Sequence, residues 1–280
     1  METPVIDCHH HFQDRARYPA SFPPAVGNRL DRDFSDPDLR PVLAECGIGK
    51  TILVQLLNDV GETEYCLDLQ EKLSYVAGVV GWVPLADPKR CAEALTRISR
   101  RGKLVGIRHL IAYEPDPKWL LQPAVLESLG LLARAGLVFE GIPVNDAQFE
   151  SLLAMTRLLP ELKVVLNHMG NPPVPENGWE PWATQIARAA ELPNMSVKLS
   201  VGLALVVRWS WSTPALRKYA DYVIELFGPD RVMAGSNWPV ILLGATFQQA
   251  WRGIEDLIAG LSAAERRSIL GGTAHRIYGL

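Results

Sequence analysis

The stretch Lys163-Val164-Val165-Leu166-Asn167-His168-Met169 is apolar almost to its end and then turns polar. Thr51-Ile52-Leu53-Val54-Gln55-Leu56-Leu57 is equally continuous. A strand with one face in water alternates apolar and polar residues, so these unbroken runs predict strands of a parallel sheet buried on both faces. Similar runs fall at 4–8, 76–83, 104–111, 137–144, 195–201 and 231–236, which makes eight with the first two at 163–169 and 51–57. Their starts lie 25 to 47 residues apart, and most intervals hold one amphipathic helical stretch, such as Asp146–Leu159 or Pro214–Phe227. That is the length a strand, a crossover helix and two loops require. Eight such units predict an α/β fold, a single (β/α)8 barrel occupying 1–280. The rival doubly wound sheet needs a GxGxxG turn after its first strand, and none follows Val5–Cys8.

The composition agrees. The chain has 280 residues, 48% of them apolar and 21% charged, enough to bury a large core. With 28 basic against 31 acidic residues and a net charge of -3, nothing is left over to grip a phosphate backbone, which argues against nucleic acid. The four cysteines form no CxxC pair and suit reduced thiols. No segment approaches the length of a membrane span, and the first residues carry no basic start or apolar stretch. A cytoplasmic protein acting on a small molecule is the expectation, with a homodimer as one oligomeric state. Two connections are long. The segment from Gln13 to Ser35 carries Pro19, Pro23 and Pro24 before a helix expected near Ser35-Asp36-Pro37, and Leu203 to Ser212 carries Arg208, Trp209 and Trp211. Both would lie at the C-terminal mouth of a barrel, as a lid, a substrate wall or an ordinary surface loop.

Chemistry in such a barrel sits at the C-terminal ends of the strands. Polar residues collect there: His9, His10 and His11 on the first strand, Gln55 on the second, Trp82 on the third, Arg108 and His109 on the fourth, Glu140 on the fifth, His168 on the sixth, Lys198 and Ser200 on the seventh, and Asn237 after the eighth. Five of the six histidines fall at expected strand ends, with only His275 elsewhere, in a short terminal helix. Residues two apart on a strand project together, so His9 and His11 should share the barrel mouth while His10 points away. His109 should likewise face away from Arg108. The alternatives are that His9, His11 and His168 are satisfied core histidines and that Arg108 and Lys198 merely pair with Glu140. Trp82 and Trp238 could pack, or form a flat wall for a ring-shaped substrate.

Three imidazoles facing one cavity, His9, His11 and His168, can hold Zn²⁺ or Mn²⁺ with a position left for water. Arg108 and Lys198 would then stabilise an anionic oxygen in attack of water on an acyl carbon. The same groups can work without metal, a histidine acting as general base. Spacing alone does not separate the two.

These residues carry a family likeness. Ile6-Asp7-Cys8-His9-His10-His11-Phe12 resembles the I-D-x-H-x-H-F opening of the amidohydrolase superfamily, in the amidohydrolase-2 branch that includes sugar-acid lactonases and pyrone-dicarboxylate lactonase. Similar to that branch as well are Val54-Gln55 on the second strand, Val80-Gly81-Trp82-Val83, Gly106-Ile107-Arg108-His109, Asn167-His168-Met169-Gly170-Asn171-Pro172, Val197-Lys198-Leu199-Ser200, Gly235-Ser236-Asn237-Trp238-Pro239-Val240 and the closing Gly272-Thr273-Ala274-His275-Arg276-Ile277-Tyr278. The resemblance implies a site lined by the first-strand histidines and the later one, metal-dependent in some members and metal-free in others. It also implies an aspartate after the eighth strand that takes a proton from the attacking water. Here that position is Asn237, and an amide cannot be a general base; position 167, often aspartate, is Asn167.

The expectation is a lactonase that opens a sugar-acid or carboxylated lactone. His9, His11, His168, Glu140 and Asn237 are its candidate catalytic residues, with a histidine or Glu140 taking the proton and Asn237 orienting water or a hydroxyl. Arg108, Lys198, Gln55, Trp82 and Trp238 are its candidate substrate contacts. The amides keep open a lactone isomerase, a decarboxylase and a catalytically degenerate binding protein.

Overall fold

The structure is a computed structural model that describes residues 3–19, 22, 26, 27 and 29–280. Eight parallel strands follow one another in chain order: β1 Ile6–His10, β2 Lys50–Val54, β3 Val76–Gly81, β4 Leu104–Arg108, β5 Val138–Gly141, β6 Val164–Leu166, β7 Met195–Leu199 and β8 Val232–Ala234. The ring closes between its first and last strands just past their ends, where His11 N–H donates to Trp238 O at 2.7 Å and Asn237 N–H to His9 O at 2.8 Å. Helices fill the crossovers, as the spacing requires. The first, α1 (Asp36–Glu45), begins at the expected Ser35, whose backbone N–H is held by the Asp38 carboxylate at 3.0 Å.

The strands are shorter than the apolar runs that announce them. β2 stops at Val54 and β6 at Leu166, so Gln55 and His168 lie beyond the sheet on its C-terminal side. Side chains from seven strands, among them Ile6, Ile52, Val80, Val105, Val138, Val165 and Met233, form one buried cluster. Side chains from so many strands can meet only inside the ring, so the lower barrel is packed solid. The last helix (Thr273–Tyr278) adds Tyr278 and Ala274 to that cluster. The larger core lies between strands and outer helices. Among the described residues the four cysteines are free thiols, and no helix is long and apolar enough to cross a membrane.

Pro23 and Pro24 of the first long connection lie outside the described residues. In the second, Leu203–Val206 forms a short helix and Trp211 packs against Gly253 on the helix Phe247–Leu257. Trp209 and Trp211 are therefore anchors of this connection, and its Leu203, Ala204 and Val207 face the barrel mouth.

Candidate active site

A cavity of about 300 Å³ opens at the C-terminal mouth, and its floor is polar: His11, Arg108, His168, Asn171 and Asn237. Strand alternation places His11 there and sends His10 outward, where its Nε2 meets Thr51 Oγ1 at 2.9 Å. His168 reaches the floor differently. After β6 the backbone enters the left-handed region at His168 (φ 55°, ψ 41°) and Met169 (φ 52°, ψ 26°), held by Trp182 Nε1–H donating to Met169 O at 2.7 Å. Asn171 and Asn237 are left-handed too, at φ 57° and 56°. Such strain persists only where the surroundings enforce it, and it gathers around this floor. A Cβ on Gly202 would lie 2.6 Å from Asn171 Oδ1 and 3.2 Å from His168 Cδ2, so only glycine lets the chain after β7 pass so close.

Hydrogen bonds fix the proton positions. Buried Lys198 sits between both oxygens of Glu140, 2.7 Å from each, and its ammonium donates to His9 Nδ1 at 3.0 Å. Neutral His9 must then carry its proton on Nε2. His11 Nδ1–H donates to Val54 O at 2.7 Å, which leaves its Nε2 bare to accept from His9 Nε2–H at 3.2 Å. His168 Nδ1 lies 2.7 Å from Ser200 Oγ; in the tautomer whose Nδ1–H donates to that hydroxyl, Nε2 is a bare acceptor with no protein partner. Burial holds all three imidazoles well below their ordinary pKa, reinforced by Lys198 and Arg108 at His9 and His168 and by Arg108 at His11. Arg108 is anchored by Nε donating to Gln55 Oε1 at 2.9 Å and by a further bond to Gln55 O. Burial pulls its guanidinium down to about 10, against the pull of Glu140 and Glu62, so it stays charged at neutral pH.

The three histidines converge, His9 lying 4.9 Å from His11 and 4.6 Å from His168 between ring centroids, but only His11 and His168 line the cavity; His9, expected to share its mouth, is fully buried and lines none of it. Their surroundings do not suit a divalent cation. Neutral His9 has no lone pair to offer, since an ammonium holds Nδ1 and Nε2 carries the proton. Arg108 Nη1 stands 3.4 Å from that nitrogen, and among the described residues no carboxylate lines the cavity to offset its charge. Among the described residues no group of three or more His, Cys, Asp and Glu side chains is arranged to hold a metal.

Several expected contacts lie elsewhere. Glu140 and Lys198 are below the floor, and Glu140 also accepts from Tyr278 Oη at 2.5 Å. Gln55 is fully buried behind Arg108. Trp82 donates from Nε1 to His109 Nδ1 at 2.9 Å, while His109 stacks on Trp119 and bonds Glu114, which ties the connections after β3 and β4 together away from the cavity. Trp238 packs edge-on against Phe12 and Phe34. None of these lines the cavity, because strand alternation or packing turns each aside. Sequence reasoning missed Asn171 and Asp7. Asp7 accepts from Ser236 N–H at 2.8 Å, Ser236 Oγ–H at 2.6 Å and His9 N–H at 3.1 Å, pinning the turn that carries Asn237. Its place two residues before His9 was the available signal.

The amidohydrolase family profile matches residues 6–280. The chain belongs to the amidohydrolase family. An L-fucono-1,5-lactonase from Burkholderia ambifaria is 32% identical over 86% of this amidohydrolase and 82% of its own length. Another L-fucono-1,5-lactonase, from Burkholderia multivorans, is 32% identical over 98% and 96%. A solved amidohydrolase from B. multivorans with bound zinc superposes with a TM-score of 0.88, at 32% identity over 99% of both chains.

Proposed function

We propose that this amidohydrolase is a lactonase that opens a sugar-acid or carboxylated lactone with its own side chains. One observation carries the reading: a charged guanidinium, Arg108, and an unprotonated imidazole with a free nitrogen, His168, share the floor of one cavity. The lactonases to which the chain is similar support it. His168 Nε2 takes a proton from water as the water oxygen bonds to the lactone carbonyl carbon. Arg108 stabilises the oxyanion that forms there. Asn237 donates from Nδ2 to Val201 O at 2.8 Å, which leaves Oδ1 to accept from the attacking water and orient it. As the tetrahedral carbon collapses, its bond to the ring oxygen breaks and the His168 imidazolium returns the proton to that oxygen, giving a hydroxy acid. Lys198, held by Glu140, fixes the His9 tautomer and through it the bare His11 Nε2.

The test is acid release from aldono-, aldaro- and pyrone-type lactones, with product masses. A product heavier by one water is expected. An isomerised ring or a lost carboxylate as first product, or binding without turnover, overturns the reading.

A further inference from the structure

The last helix covers the end of the barrel opposite the cavity. Lys163 Nζ, just ahead of β6, donates to Ile277 O at 3.2 Å, and the Tyr278 ring enters the packed interior. Filling that space needs only a ring, which phenylalanine would supply. Tyr278 adds a hydroxyl, and its Oη donates to Glu140 Oε1 at 2.5 Å. From that oxygen a line of hydrogen bonds runs up the interior. Both Glu140 oxygens hold Lys198 Nζ at 2.7 Å, and the ammonium reaches His9 Nδ1 at 3.0 Å. All three hydrogens of the ammonium are thereby committed. The carboxylate can pivot about its bond to the side chain, and among the described residues Tyr278 is the one donor besides Lys198 that holds its orientation.

The line ends on the oxyanion donor. Arg108 commits its Nε hydrogen and one Nη2 hydrogen to Gln55, while Nη1 stands 3.4 Å from His9 Nε2. As long as His9 carries its proton on Nε2, that nitrogen cannot accept, and both Nη1 hydrogens remain for a carbonyl oxygen in the cavity. With the proton on Nδ1 instead, Nε2 would be a bare acceptor within reach of the guanidinium and would draw it aside. His11 Nε2 would lose its donor at the same time. The tautomer of His9 therefore decides how much of Arg108 the substrate receives, and the Lys198 ammonium at Nδ1 decides the tautomer.

On the reading above, in which Arg108 stabilises the oxyanion of an opening lactone, we propose that Tyr278 is a positioning residue for this reaction. Acting through Glu140 and Lys198 from the far end of the barrel, its hydroxyl fixes the His9 tautomer that leaves Arg108 Nη1 to the substrate.

The experiment is Tyr278→Phe, which removes the hydroxyl and keeps the ring. Losing an oxyanion donor outright costs about 10²–10³ in kcat, so its partial diversion should lower kcat about tenfold, with KM within about twofold. Nitrogen-15 NMR of the histidine side chains reads the tautomer without substrate. His9 should be protonated on Nε2 in the wild type and mixed between its two nitrogens in the variant. Ile277→Ala loosens the packing of the same helix and spares the hydroxyl, so it should lower the denaturation midpoint while kcat stays at the wild-type value. A wild-type His9 protonated on Nδ1, a tautomer or a kcat that Tyr278→Phe does not change, or an equal loss of kcat in Ile277→Ala overturns the proposal and leaves the lactonase reading intact. Failure of the wild-type enzyme to open any lactone of the panel removes that reading instead, and the NMR measurement still decides whether Tyr278 acts on His9.

Discussion

At the scale of single residues, His168 and Asp7 do different work. His168 offers the imidazole nitrogen that no protein atom occupies, so His168→Asn should lower kcat by about 10²–10⁴-fold, the usual contribution of a positioned general base, with a smaller change in KM. Steady-state kinetics on a lactone that the enzyme opens checks this. Asp7 never meets substrate. Burial raises its carboxyl to about 6 against the opposing bonds from Ser236 and His9. Ser236→Ala removes the hydroxyl donor 2.6 Å from Asp7 Oδ2 and leaves a buried oxygen unpaired. The expected cost is about 1–3 kcal/mol, seen as a lower denaturation midpoint at neutral pH.

At the scale of elements, the eight strands were legible because a parallel strand buried on both faces writes itself as an unbroken apolar run. The pairing of His9 with His11 was legible because strand alternation allows nothing else. What lies past the strand ends was not. His168 sits in two consecutive left-handed residues, which depend on Trp182 and Met169 packing beneath them and on Gly202 passing beside them. Lys198 has the same one-dimensional signature whether it reaches into the cavity or down to Glu140, and only the ring of strands decides. The cavity's apolar wall is assembled from six connections, so no single stretch of sequence displays it. Gly202→Ala tests the element argument. A methyl group there must displace Asn171 or His168, so kcat should fall at least tenfold while far-ultraviolet circular dichroism stays unchanged; wild-type kcat would show that the close approach is dispensable.

At the scale of the whole molecule, the barrel concentrates two buried cations, Arg108 and Lys198, on one group of imidazoles, and that sets the pH response. A base works when deprotonated, and His168 is held well below the ordinary imidazole range by burial and by those cations. Its neutral form is therefore complete throughout pH 6.5–8, and kcat/KM should be flat there, with the acid limb displaced below 6.5. On the alkaline side activity should fall as pH approaches 10, where Arg108 gives up its charge. An acid limb centred at 6.5 would mean that neither burial nor the cations act on the base.

The central claim is that protein side chains alone activate water and hold the oxyanion. It is tested most directly by stripping the enzyme with a chelator, confirming the metal content by elemental analysis, and measuring lactone turnover at pH 7.5. We predict that kcat/KM stays within about twofold of the untreated enzyme and that added Zn²⁺ or Mn²⁺ does not raise it. Collapse on stripping, with recovery on adding either ion, would contradict the account and make His9, His11 and His168 metal ligands.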